Sequence, residues 1–211
     1  MRAHIARIES AGPDLRARRI VFDNGSDPRL TSAAALKHVP LQEGMAVDLE
    51  ALDDQLLAVE LPLAKDRVLR LLGYREHTRQ ELKTKLYNGG YPASVATQVI
   101  NRFSDIELID DARFAHAWVR TRASAGYGRM RIARELADKG VADDIAAAAL
   151  DEELYGTDEV ARARAALRGK CPADKRERER LIRKLITRGF AFRDALAALD
   201  ADDDTYPAND A

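Results

Sequence analysis

A single cysteine, Cys171, leaves the 211-residue chain with no intrachain disulfide and no cysteine-based zinc site, which fits a reducing compartment. No apolar stretch approaches the roughly 20 residues that a membrane-spanning helix needs. Met1-Arg2-Ala3-His4 opens no signal-peptide core, so a soluble cytoplasmic protein without a membrane partner is expected. His4, His38, His77 and His116 show neither an HExxH pattern nor paired metal spacing, and no GxSxG nucleophile turn occurs. These absences point away from an enzyme and from any resident metal or cofactor.

Charge, by contrast, is plentiful: 33% of residues are charged, yet the formal net charge is only -1. Its distribution is uneven, with -3 over residues 1–60, +4 over 61–105, -2 over 106–152, +4 over 153–200 and -4 over 201–211. The near-zero total therefore conceals two basic segments. Local basicity of this kind suits a phosphate-rich or acidic partner, although a solvated charged face is the commoner cause of any one run.

The chain also carries a repeat. Leu82, Leu86, Gly90, Tyr91 is echoed by Ile132, Leu136, Gly140, Val141 and by Leu181, Leu185, Gly189, Phe190, with the glycines 50 and 49 residues apart. Apolar residues four apart share a helix face, and glycine just past them supplies the left-handed conformation that ends a helix. Each copy is one helix closed by glycine, and the following apolar residue packs back on it. Three such modules in tandem predict an elongated, mainly α protein with a long surface for an extended partner.

The first sixty residues differ. Alternation over Ala3 to Glu9, a break at Gly12-Pro13-Asp14, resumption from Leu15 to Phe22 and a second break at Asp23-Asn24-Gly25 predict a hairpin. Thr31 or Ser32 can cap a short helix through Leu36, and Met45-Ala46-Val47 can form one more strand before a helix containing Leu49, Leu52 and Leu56. Pro62 marks a junction. Beyond it the period predicts helices near 63–73, 78–88 and 92–104, then 110–124, 128–138 and 142–152, then 157–169, 173–187 and 191–199. The expected division is a small β-rich module over 1–60, three-helix repeats over 61–105, 106–152 and 153–200, and an acidic disordered tail over 201–211.

Individual motifs have plain structural explanations. Asp110 lies where an N-cap belongs and Asp111 in a first turn, so the pair reads as capping and not as a metal or acid-base pair. Phe114 and Trp118, four apart, read as a core stripe. Arg113 can bridge to an aspartate or reach a partner, and the sequence does not decide between them. Gly126-Tyr127-Gly128 lacks the GxGxxG spacing and reads as a helix-to-helix turn. Arg129 and Arg131 sit at a helix start, where the dipole disfavours cations, which hints that they face a partner. Lys175-Arg176-Glu177-Arg178-Glu179-Arg180 interleaves signs, with Arg183, Lys184 and Arg188 following. Glu177 with Arg180 and Glu179 with Arg183 are helix-stabilising pairs, but an excess of positive charge remains.

Leu82 to Gly90, Leu108-Ile109-Asp110-Asp111-Ala112-Arg113-Phe114-Ala115 with Val119-Arg120, Gly126 and Gly128 before Arg131-Ile132, Glu135-Leu136, Lys139-Gly140-Val141, and Leu185 to Gly189-Phe190 together resemble the RecX family of bacterial recombination regulators. The resemblance spans about residues 61 to 200. It implies tandem three-helix repeats and a non-enzymatic modulator of the RecA recombinase. Such a protein binds the RecA filament on single-stranded DNA and restrains filament growth, strand exchange, ATP hydrolysis and stimulated repressor cleavage. Weak nonspecific DNA binding and a monomeric state are expected. Candidate filament or DNA contacts are Arg113, Arg120, Arg122, Arg129, Arg131, Lys175, Arg176, Arg178 and Arg183. The competing reading is a helix-turn-helix-like DNA-binding protein or transcription regulator that acts without RecA.

Overall fold

The computed structural model describes residues 1–11 and 16–200; the expected disordered tail lies outside them. Alternation near the N-terminus produces the hairpin, in which β1 (Arg2–Ala11) pairs antiparallel with β2 (Ala17–Phe22). β3 (Arg29–Ser32) and β4 (Ala46–Asp48) flank it in the order β3-β2-β1-β4. Ala3, Ile5, Ile20 and Phe22 form a buried face against Leu49, Leu52 and Leu56 of α1 (Leu49–Leu72), while Arg2 and His4 face solvent.

Two local expectations are corrected here. Thr31 and Ser32 end a strand instead of starting a helix, and the helix that follows is a single 3₁₀ turn, Ala35–Lys37. Ser32 Oγ still accepts from the first amide of that turn, the Ala35 N–H, at 3.1 Å. Pro62 does not end a helix but lies inside α1, which runs unbroken for 24 residues. An interior proline removes one backbone donor and costs about 3 kcal/mol. The helix survives because both halves are anchored: Leu52 and Leu56 under the sheet, Ala64 and Val68 in the next core, with Pro62 itself exposed.

Beyond α1 the helices fall within about two residues of the periodicity, the usual scatter of helix ends. They are α2 (Arg79–Tyr87), α3 (Ala93–Asp105), α4 (Asp111–Ser124), α5 (Arg129–Asp138), α6 (Asp143–Glu153), α7 (Glu159–Leu167), α8 (Lys175–Thr187) and α9 (Phe192–Asp200). Thr78, just ahead of α2, caps it by accepting from the Glu81 N–H at 3.0 Å. The fold is thus mainly helical, with an antiparallel strand module at its N-terminus. Met1–Asp110 forms one compact unit, holding the sheet and the first helical triplet, and Asp111 begins a second that holds the other two triplets.

The glycine closures recur in all three triplets. The amide following each glycine reaches back to the last buried residue of the helix: Tyr91 to the Leu86 carbonyl at 3.2 Å, Val141 to Leu136 at 3.1 Å and Phe190 to Leu185 at 3.1 Å. Gly90, Gly140 and Gly189 hold φ of 87°, 73° and 92°, the left-handed geometry of this helix-ending motif. Tyr91, Val141 and Phe190 are all buried, so each closure also contributes to a core.

α1 joins the sheet to the first triplet through a buried acid. Glu60 is 2% exposed, and its Oε1 accepts from Thr31 Oγ1 at 2.6 Å and from the Ser32 N–H at 3.0 Å. Burial pushes its pKa above the ordinary 4.5, and the two hydrogen bonds oppose that shift only in part. Because the folded-state pKa is raised, the stability linked to this group is complete below the unfolded value and is lost as pH climbs through the folded one. Glu60→Gln, which keeps the acceptor oxygen, should therefore melt higher than wild type at about pH 8 and match it near pH 4. Parallel thermal melts followed by circular dichroism across that interval check the sign.

Candidate functional site

The functional surface sought from the sequence is cationic, and in the second unit most of its arginines are already engaged. In the second triplet the centre is Glu135 on α5, whose side chain is only 16% exposed. Its Oε2 accepts from Arg122 Nε at 2.6 Å and from Trp118 Nε1 at 3.2 Å, and its Oε1 accepts from Arg131 Nε at 3.1 Å. The rings between these groups complete a stack. The Arg131 guanidinium lies 4.8 Å from the Tyr127 ring centre, Arg122 lies 5.1 Å from Tyr127 and 4.6 Å from Trp118, and Lys139 lies 4.4 Å from Trp118. Each cation over a ring contributes about 0.5–1 kcal/mol. Trp118 in turn stacks on buried Phe114 with ring centres 5.7 Å apart, as a core stripe should.

The start of α5 meets the end of α8. The Gly128 N–H donates to the Arg188 carbonyl at 2.9 Å, the Met130 N–H to the Gly189 carbonyl at 3.1 Å, and Arg131 Nη1 to the Thr187 carbonyl at 3.3 Å. Helix starts have spare N–H groups and helix ends have spare carbonyls, so each terminus satisfies the other. The carbonyls at the end of α8 also supply the negative pole that a cation at Arg131 lacks on its own helix. This crossing needs glycine at both places. A Cβ on Gly128 would lie 2.4 Å from the Gly189 carbonyl carbon, and one on Gly189 would lie 2.3 Å from the Arg131 nitrogen.

The remaining candidates divide by environment. Arg120 Nη1 donates to Glu153 Oε1 at 2.5 Å, beside His116 Nδ1 at 3.0 Å from the same oxygen, and Arg129 is bonded to Asp151. Arg113 lies exposed on α4. On α8, Arg178 pairs with Asp200 of α9, and Arg183 stands 4.0 Å from Glu179. Lys175 and Arg176 are exposed at the first turn of α8. The structure thus gathers Arg122 and Arg131 around one carboxylate and leaves the α8 candidates in a separate triplet. On α8 the Glu179–Arg183 pair was readable from spacing, but Glu177, expected to pair with Arg180, instead accepts from the Ala173 N–H at 3.0 Å. The engagement of Arg120, Arg122 and Arg129 by distant acids was not readable.

A second group of cations becomes distinct only once the α8 helix sorts the run into faces. Arg180, Lys184 and Arg188 stand four residues apart along one α8 face. Arg168 and Lys170, exposed at the end of α7, add to the positive field at Lys184. The Lys184 ammonium is held below its ordinary pKa by desolvation first and then by Arg188, Lys170, Arg168 and Arg180. Among the described residues no group of three or more His, Cys, Asp or Glu side chains could hold a metal ion, and no helix is long and apolar enough to cross a membrane.

Comparison with known proteins agrees with this architecture. Residues 64–103 match the model of the first three-helix domain of RecX, and residues 110–150 that of the second. The Regulatory protein RecX of Halorhodospira halophila is 40% identical over 152 residues, covering 68% of this chain and 92% of the relative. That of Mycolicibacterium smegmatis is 41% identical over 157 residues, covering 74% of each. Among solved structures, a regulatory protein RecX aligns with a TM-score of 0.58 at 20% identity, covering 94% of this chain and 99% of the other. RecX from Lactobacillus salivarius gives 0.58 at 23% identity, covering 69% and 98%. These two likenesses concern the fold.

The Gly128–Gly189 crossing makes a quantitative expectation. Gly156 also has positive φ, 65°, but a Cβ there meets nothing within 4 Å. Gly156→Ala should lose only the left-handed penalty, about 1–2 kcal/mol. Gly189→Ala adds a backbone clash and should lose about 4 kcal/mol or more, the range reserved for core disruption. Urea unfolding midpoints of the two variants decide it, and equal losses would show that the crossing is not tightly packed.

Proposed function

Because the chain belongs to the family of RecX regulatory proteins, we propose that it binds the RecA filament on single-stranded DNA and restrains filament growth, ATP hydrolysis and strand exchange. The observation that carries this reading is the relationship to RecX proteins over 68–74% of the chain, spanning triplets built by one repeated rule. The protein works as a binder: exposed cations such as Lys175 and Arg176 suit an anionic or mixed surface, and its activity is exerted on a partner's chemistry. It acts as a cytoplasmic monomer with weak nonspecific DNA affinity of its own, without cofactor or metal.

Multiple weak contacts suit this task. Triplets tethered in one chain raise one another's effective concentration on a repetitive partner, so joint occupancy exceeds the affinity of any one module. The module limits proposed are 1–60, 61–105, 106–152 and 153–200, with an acidic tail beyond. The contact residues proposed are Arg113, Arg120, Arg122, Arg129, Arg131, Lys175, Arg176, Arg178 and Arg183. Lys175 and Arg176 are the cleanest to test, being exposed on the first turn of α8. Arg122 and Arg131 share Glu135, so changing either also disturbs the fold.

The full-length protein should lower the single-stranded-DNA-dependent ATPase of RecA and shorten its filaments, and should hydrolyse no ATP itself. Lys175→Glu with Arg176→Glu should weaken that inhibition several-fold with unchanged circular dichroism. Arg131→Glu should weaken it and also lower the melting temperature, since it brings a second carboxylate to Glu135. An ATPase rate and filament length unaffected by saturating protein would refute the filament reading. Tight, salt-tolerant binding to one duplex sequence would favour the transcription-regulator alternative.

A further inference from the structure

The three triplets can be laid in register by their closing glycines, Gly90, Gly140 and Gly189. The same largely half-buried stripe of the second helix then reads Glu81 and Lys85 in the first triplet, Arg131, Glu135 and Lys139 in the second, and Arg180, Lys184 and Arg188 in the third. In the first two a carboxylate is present and is used: Glu81 accepts from Arg75 at 3.0 Å, and Glu135 takes both Arg122 and Arg131. In the third, a lysine stands where the second has its neutralising glutamate. The stripe is wholly positive, and Arg168 and Lys170 at the end of α7 extend it.

The local acids do not cancel it. Among the described residues Arg168, Lys170, Arg180 and Lys184 have no carboxylate partner, and Arg188 Nη1 donates to a neutral group, the Ala166 carbonyl, at 3.1 Å. Glu177, on the same helix, is turned back to accept from the Ala173 N–H at 3.0 Å. Glu179 lies toward Arg183. Two successive left-handed residues, Arg168 at φ 56° and Gly169 at φ 72°, end α7 and lead into Lys170. A non-glycine residue held there costs on the order of 1 kcal/mol, and such strain clusters where side chains serve a ligand.

We propose that Arg180, Lys184 and Arg188, with Arg168 and Lys170, form a binding surface for the phosphodiester backbone of a nucleic-acid strand. Cations four residues apart rise about 6 Å per step along a helix, a spacing comparable with that of successive phosphates along an extended strand. The stripe carries no aromatic residue on which a base could stack, so it reads charge and spacing and no sequence. This surface rests on nucleic acid being part of the partner proposed above, but it lies in the triplet that neither matched domain model covers.

The test is fluorescence anisotropy of a labelled oligo(dT) with the full chain and no recombinase, over a salt series. Neutralising about five phosphates on a single strand gives a log–log salt slope near -3.5, and each cation removed lowers its magnitude by about 0.7. Lys184→Glu, which restores the second triplet's pattern, should weaken binding at least tenfold at low salt. It should also raise the melting temperature, because a salt-bridging carboxylate replaces a repelled cation. Lys170→Gln with Arg180→Gln should reduce the slope by about 1.4. Arg2→Gln with Arg70→Gln, removing equal charge from the first unit, should leave it unchanged.

An equal loss in that control would overturn the assignment, as affinity would then follow total charge. Binding unaffected by Lys184→Glu would overturn it too. So would displacement of oligo(dT) by polyglutamate as effective as displacement by unlabelled oligo(dT), which would make the surface a carboxylate site. The filament reading is judged separately: a Lys184→Glu protein that loses oligo(dT) yet still inhibits the RecA ATPase supports the surface and shows that inhibition does not run through it.

Discussion

The glycine that closes the second helix of each triplet is the constraint on which the rest depends. Helices of 9 to 13 residues, such as α2, α5 and α8, are marginal alone and persist through tertiary burial. That burial requires the chain to turn sharply and return an apolar residue to the same face. A left-handed residue does this at one position, and glycine adopts that conformation without the penalty an L side chain incurs. Gly90 and Gly189 have a second duty. A Cβ on Gly90 would lie 2.6 Å from the Arg16 carbonyl oxygen, and one on Gly189 would lie 2.3 Å from the Arg131 nitrogen. The residue that ends a helix is thus also the seat on which another element's backbone rests, and closure within a triplet is inseparable from what packs on it.

Because the backbone rule is shared, the triplets are free to differ in how they dispose of charge. The second spends its acids internally: Glu135, Glu153 and Asp151 hold Arg122, Arg131, Arg120 and Arg129. Exposed pairs of this kind contribute little stability individually, about 0–1 kcal/mol. Glu135 is different, since it is largely shielded and serves three donors, so its loss would strand two guanidinium groups beside aromatic rings. Ion pairing here occupies the arginines of the triplet. Along the Arg180, Lys184, Arg188 face of α8 no carboxylate neutralises the cations among the described residues.

What could be read from the residues follows the range of the interactions. The helices, their glycine ends, the Thr78 cap and the Phe114–Trp118 stripe are set by neighbours within a turn or two, and the chain displays them directly. The 24-residue α1 was obscured because Pro62 is a local signal for a break, whereas the forces that override it come from the sheet and from the first helical core. Thr31 and Ser32 carry cap chemistry, and only pairing with β2, from Ala17 to Ile20, makes them strand. The arginine partners were least legible: Arg122 to Glu135, Arg120 to Glu153 and Arg129 to Asp151 bridge 13, 33 and 22 residues, and no spacing rule reaches that far. The Arg180, Lys184, Arg188 stripe, by contrast, needed only the register of the glycines.

Arg131 shows how a local anomaly can find a partner inside the chain. A cation at a helix start is opposed by the helix's own dipole, and from the sequence that opposition suggested an external partner. The structure answers with the end of another helix. The carbonyls of Thr187, Arg188 and Gly189 reach Arg131, Gly128 and Met130, so the positive pole of α5 and its added cation face the negative pole of α8. Misplaced charge therefore marks a contact without saying whether the contact lies inside the chain. Charge that is correctly placed but unmatched is the more discriminating sign. At the end of α8, Lys184 and Arg188 suit the helix dipole and need no explanation from it, yet they add to a stripe that no described carboxylate neutralises. For these residues the dipole accounts for position, and only an anion supplied from elsewhere accounts for number.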